Sequence, residues 1–353
     1  MLTGLDDINW TRLGRAPGSA GDVPDLIRAL LAPDERTRDE ALGGLYGTIF
    51  HQGARFEATA HAVPFLLEVL AAQAPADQST LLGLLAALTV GYDENWLPAG
   101  LTEAELWSDP AASAAYGAVR AGVGLYRDLL GSPDLGVRTM AAYLLAWFPD
   151  DAEDSLPPLV ELVSPEEYEG VAATALVAIG LLGGTFERPV DNRPVIGWAA
   201  AVAAARVRGA DADQAVADEL LGWTRTGAGV RWEIPFLEGD LSGYAALALA
   251  QLGPAHVEAT YDALLTRMPT VTGTETLPVL GEALRLAFPT GPLAEGVPAT
   301  GLDERQVRLA RVLAEHEGPW KIGEQTFGNV SMLVRSYGLP SDRESLRSFL
   351  GSV

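Results

Sequence analysis

Ser132-Pro133-Asp134-Leu135-Gly136-Val137-Arg138-Thr139-Met140-Ala141-Ala142-Tyr143-Leu144-Leu145 is the run that decides how this chain folds. A proline followed by an acid opens a helix, because a carboxylate in the first turn complements the helix dipole. Arg138 follows, then Ala141, whose small side chain lets a neighbouring helix approach, then Leu145 on the same buried face. The run has copies. Pro33-Asp34 leads to Arg38, Ala41 and Leu45. Pro165-Glu166 leads to Ala173 and Val177 at the same offsets, with Gly170 where the other copies have arginine. Recurrence on this scale marks a stacked structural unit, none of which buries its apolar face alone.

A second pattern alternates with the first. Val23-Pro24-Asp25-Leu26, Val63-Pro64-Phe65-Leu66, Leu156-Pro157-Pro158-Leu159 and Leu277-Pro278-Val279-Leu280 each continue to an apolar residue four positions on. Proline suits the first helical turn, where its missing N–H has no intrahelical partner, and the leucine spacing supplies one apolar stripe. The 48% hydrophobic fraction is dominated by Ala and Leu, strong helix formers. The expectation is all-α.

A Pro-initiated first helix, a short Asp-bearing turn and a second helix with Val/Thr-Arg and a small residue three positions on resemble HEAT repeats. They are most similar to the short HEAT-like repeats also found in phycobilin lyases. The resemblance is clear at 22–50, 60–92 and 116–183 and weaker at 243–290. It implies a right-handed superhelical solenoid of antiparallel helix pairs over 1–300, and it is nearly silent about function, since such repeats serve scaffolds, inhibitors and a few enzymes.

Three insertions interrupt the expected array, near 93–113, 184–194 and 227–240. The first holds Trp96 and Trp107; the third, Gly227 to Phe236, reads as a loop or short strand. Insertions in solenoids collect on one face, often the binding face. After Gly301 the pattern changes. Helices beginning at Leu302-Asp303 and Ser341-Asp342 read as a C-terminal helical cap over 301–353 that covers the last repeat.

Composition limits the functions. The formal charge is −23, from 47 acidic and 24 basic residues, with Lys321 the single lysine. Nucleic-acid affinity rests on a basic face that releases counterions, so DNA, RNA and anionic membrane surfaces are disfavoured partners. No cysteine is present, which removes thiol catalysis and Cys-ligated metals. The opening residues lack a signal-peptide pattern, and the longest uncharged apolar stretch, about Val171 to Phe186, is shorter than the ~20 residues of a spanning helix. A cytoplasmic protein is expected.

Three places could carry chemistry. His51, Gln52 and Arg55 sit in a polar inter-repeat turn, where they either meet a ligand or satisfy helix-end carbonyls. Asp93, Glu94, Trp96 and Trp107 interleave acids with indoles, which suits a cationic ligand or fastens the insertion to the body. Arg231, Trp232 and Glu233 place a charged pair around an aromatic on a glycine-opened loop. Trp10, Trp147, Trp198 and Trp223 read as core. Neither GxSxG, Walker A nor GxGxxG occurs in a strand–helix setting, His51 and His61 lack metal-ligand spacing, and no catalytic residue, metal or cofactor is expected.

Two functions compete. A non-catalytic adaptor, inhibitor or immunity-type protein would bind a protein or peptide, and the acidic surface favours a basic one. Alternatively, a small-molecule enzyme or sequestering protein would use a pocket in the concave groove, closed by the Trp-bearing insertions. They differ in whether the insertions converge on one concavity lined by His51, Asp93 or Glu233. A HEAT-like DNA glycosylase ranks last, because that family implies a basic cleft.

Overall fold

The structure, a computed structural model, describes residues 1–351 apart from 73–77, 103–107, 165, 187–192 and 228. Among the described residues the chain forms 17 α-helices and two short antiparallel hairpins. It is an all-α helical repeat protein. None of its described helices is long and apolar enough to cross a membrane. The chain divides into two compact units, Met1–Ala203 with Trp232–Phe236, and Ala204–Arg231 with Leu237–Val353.

In the first unit the helices pair and the pairs stack. Helices α1 (Val23–Ala29) and α2 (Glu35–Thr48) form the opening pair, followed by α3 (Glu57–Ala71) and α4 (Gln78–Val90). Next come α5 (Pro110–Arg120) and α6 (Val123–Leu129), which together precede α7 (Leu135–Leu145), and then α8 (Ala152–Val163) with α9 (Glu169–Leu181). The second helices form one layer, α4 against α7 and α7 against α9, and α3 packs on α5. Because α9 is apolar all round, it is buried along nearly its whole length.

In the copies that begin at Pro33 and Pro133 the recurring residues do the same work. Asp34 and Asp134 are N-caps, accepting from the N–H of Thr37 at 2.9 Å and of Val137 at 3.0 Å. Arg38 Nη1 donates to the carbonyls of Ala32 and Pro33, and Arg138 Nη1 to those of Ser132 and Pro133. Ala41 and Ala141 are buried at the helix contacts. The prolines behave less uniformly. Pro24 stands in the first turn of α1, but α3 starts at Glu57 and α8 at Ala152, leaving Pro64, Pro157 and Pro158 inside helices. Pro64 and Pro157 lie on solvent-exposed faces, where the loss of one intrahelical hydrogen bond costs less than it would in the core.

The second unit contains α11 (Gln214–Thr226), α12 (Leu241–Leu249), α13 (Val257–Arg267), α14 (Thr276–Ala287), α15 (Glu304–Glu315), α16 (Gly328–Ser336) and α17 (Arg343–Leu350). Helix α10 (Pro194–Arg208) carries the chain from the first unit into the second. Helices α13 to α17 contribute to one apolar core, with Leu264, Leu284, Leu313, Val334 and Leu346 among its members. Asp303 and Asp342 cap α15 and α17 as the sequence suggests. Trp10, Trp147 and Trp198 are buried. Trp223 is half-buried, its indole donating to Glu219 at 2.9 Å.

Candidate functional site

The polar turn after α2 is a β-hairpin. Phe50–His51 pairs with Ala54–Arg55, and Gln52 and Gly53 turn the corner with positive φ (49° and 81°), as a tight two-residue hairpin requires. His51 and Gln52 are therefore an exposed hairpin tip, and the end of α2 is satisfied by other groups: Thr59 Oγ1 donates to the carbonyl of Ile49 at 2.6 Å. A side chain at Gly53 would strike the ring of Tyr92, and one at Gly91 would strike the Arg55 guanidinium. The hairpin and the start of the first insertion thus lie against each other. Arg55 Nη1 donates to the carbonyl of Gly53 at 2.6 Å. Burial holds the Arg55 guanidinium below the usual arginine range, partly offset by the charge of Asp109.

Within the first insertion the side chains divide by burial. Asp93 is buried and accepts from the Tyr143 hydroxyl at 3.0 Å. Trp96 is half-buried, its indole donating to the carbonyl of Val90 at 2.7 Å, the geometry of a pin at the end of α4. Glu94 is exposed, and Trp107 lies outside the described residues.

Tyr143 links this region to the third insertion. Its ring meets Phe236 edge-on at 4.8 Å and Trp147 at 5.7 Å. Phe236 and Ile234 are fully buried, whereas Trp232 between them and the loop entrance is 78% exposed. Glu233 lies against the start of α9, so close that a Cβ at Gly170 would come within 2.8 Å of its Cγ and 2.9 Å of its carbonyl oxygen. This contact explains the missing repeat arginine: Gly170 leaves the space that Glu233 occupies.

The turn before α9 is equally fixed. Glu166 is buried and accepts from Arg138 Nε and Nη2 at 2.9 and 3.2 Å, and from the N–H of Tyr168 at 3.1 Å. Arg193 Nη1 donates to the carbonyl of Glu167 at 2.9 Å. Tyr168 itself is 54% exposed. Two exposed aromatic residues, Trp232 and Tyr168, thus neighbour in sequence the two residues in contact, Glu233 and Gly170, and Glu167 and Glu233 next to them are exposed as well.

The foot of the third insertion belongs to the second unit. Val230 bridges Asp240, and the N–H of Arg231 donates to the carbonyl of Gly239 at 2.9 Å. Leu237 and Glu238 both adopt left-handed backbone (φ 50° and 52°), a conformation that costs ~1–2 kcal/mol per residue and persists only where the surroundings dictate it. Gly227 sits directly on the buried Arg267 guanidinium, which pairs with Glu275 at 2.8 Å. Asp240 caps α12 through the N–H of Gly243 at 2.8 Å, and burial pushes its carboxyl up to about 6.

Sequence reasoning picked out Trp232 and Glu233 and noted Gly170 as a break in the repeat, but missed Tyr143, Tyr168 and the anchoring role of Phe236. Gly170 carried a visible signal, the break in the repeat arginine. Tyr143 gave none, because a tyrosine inside a repeat helix looks like any other core residue.

Neither a family model nor a curated protein matches the chain. Among solved structures it is similar to the crystal structure of an engineered protein, 16% identical over 92% of this chain and 87% of that chain, with a TM-score of 0.36.

Proposed function

We propose that the chain is a non-catalytic binding protein that recognises a basic protein or peptide through the surface bearing Trp232 and Tyr168. One observation carries this reading: Trp232 projects into solvent while Ile234 and Phe236, two and four residues on, are fully buried. An exposed indole forfeits roughly 1.5–3 kcal/mol of burial, and a well-anchored loop has no packing reason to hold it outward. Tryptophan and tyrosine are the side chains most enriched at binding hot spots. With Glu167 and Glu233 alongside, the aromatic faces suit arginine or lysine through cation–π contact and charge. The net charge of −23 steers a basic partner towards the protein. The HEAT-like sequence pattern and a cytoplasmic setting belong to the same proposal and agree with an adaptor or inhibitor.

A photo-crosslinking residue placed at Tyr168 tests the reading in cells, with the same residue at exposed Leu31 as the control. The expected result is a discrete adduct with a basic protein at 168 and none at 31. Identical adduct patterns at both positions would count against a specific surface.

A further inference from the structure

The second unit contains an open groove of about 690 Å³ that none of the sequence-selected residues lines. Its floor and rim come from the end of α14, the loop after it, the start of α15 and the end of α16. Phe288 and Tyr337 form an aromatic floor, their rings 5.4 Å apart and tilted by 53°. Pro289 and Pro292 line the loop side. Arg285 and Arg305 supply two guanidinium groups at the rim.

Both guanidiniums are oriented by partners that leave nitrogen donors uncommitted. Arg285 gives Nε and Nη2 to Glu282, at 2.9 and 2.6 Å. Arg305 gives Nη1 to the carbonyl of Leu286 at 3.3 Å and Nη2 to Glu258. Among the described residues, Arg285 Nη1 and Arg305 Nε make no hydrogen bond. Ion pairing of this kind fixes a guanidinium without using up its fork of five donors. The volume lies in the range of small-ligand sites, and an apolar bed with a few placed polar groups is their usual make-up.

The geometry points to a binding site for a small aromatic carboxylate, its ring on Phe288 and Tyr337 and its anionic group shared by Arg285 Nη1 and Arg305 Nε. The protein's net negative charge does not forbid this. At 0.1 M ionic strength the Debye length is about 10 Å, so a ligand inside the groove responds to the nearest guanidiniums and the paired Glu282 and Glu258. A neutral alcohol would gain the aromatic contacts and at most a weaker, uncharged-acceptor hydrogen bond from the guanidiniums. A cation would meet the two guanidiniums at close range.

Three bicyclic probes of nearly equal shape test the site by titration calorimetry on the full chain: 2-naphthoate, 2-naphthylmethanol and 2-naphthylmethylammonium. Naphthoate should bind with at least about tenfold preference over the other two. Arg285 is half exposed, so its replacement leaves the fold intact, which a thermal melt verifies. Arg285→Gln should lower naphthoate affinity by about five- to tenfold and naphthylmethanol affinity by less than about twofold, and Arg285→Glu should favour the ammonium probe over the carboxylate. Equal affinity for the three probes, no naphthoate binding at about 10 mM, or naphthoate binding indifferent to both substitutions would overturn the assignment.

Discussion

At the scale of single residues, Gly170 and Asp240 are where local preference and tertiary demand conflict. Alanine is the better helix former by roughly 1 kcal/mol, yet a methyl group at 170 would press on both the side chain and the backbone of Glu233. Overpacking of this kind costs about 1–3 kcal/mol. Gly170→Ala should therefore destabilise the protein in denaturant melts; a stabilised variant would mean that Glu233 does not lean on α9. Asp240 poses an electrostatic conflict. Its folded-state carboxyl titrates near 6, against 3.8 ordinarily, so the folded chain holds that proton more tightly than the unfolded chain. This group's contribution is most favourable below the unfolded value, declines as pH rises to about 6, and is flat above. Asparagine caps helices as well as aspartate and carries no charge. Asp240→Asn should gain on the order of 1–3 kcal/mol over the parent at pH 7.5, and most of the gain should vanish at pH 4. Parallel stability curves for the two proteins across that range would refute the assignment.

At the scale of elements, the helices were legible in the sequence and the packing of the loops between them was not. The Pro-acid cap, the arginine and the small alanine act locally, through an N-cap, two turn carbonyls and a close helix contact, so their spacing is enough to place α2 and α7. Helix starts are less legible where the motif proline stands inside a helix and not in its first turn, because Pro64 and Pro157 are tolerated on exposed faces. The insertions depend on distant partners. Nothing near Trp232 in sequence says that Phe236 will be buried against Tyr143, or that Asp93 will receive the same tyrosine's hydroxyl fifty residues away. The hairpin at 50–55 was hidden for a related reason: its Gln-Gly turn is short, and its support comes from Tyr92. The third insertion predicts a sharp contrast within five residues. Phe236→Ala should cost about 3–5 kcal/mol, as deletion of a buried ring does, whereas Trp232→Ala should change stability by no more than about 0.5 kcal/mol. Comparable losses from both would mean that Trp232 is a packing residue.

At the scale of the molecule, the protein combines a helical repeat array, a charge of −23 and two exposed aromatic side chains, Trp232 and Tyr168. Charge alone would attract any cationic chain, with an attraction that salt erodes; the aromatic surface is what would make recognition specific. These contributions separate in one experiment. The measurement is the affinity of a synthetic arginine-rich peptide for the parent protein and for Trp232→Ala, by calorimetry at about 0.15 M ionic strength and again at lower salt. The substitution removes no charge, so both proteins should share the same salt dependence. The variant should nevertheless bind about tenfold more weakly at each salt concentration, the ~1.4 kcal/mol expected of a modest hot spot. Indistinguishable affinities would mean that the peptide responds to bulk charge alone, and would contradict a binding surface at Trp232.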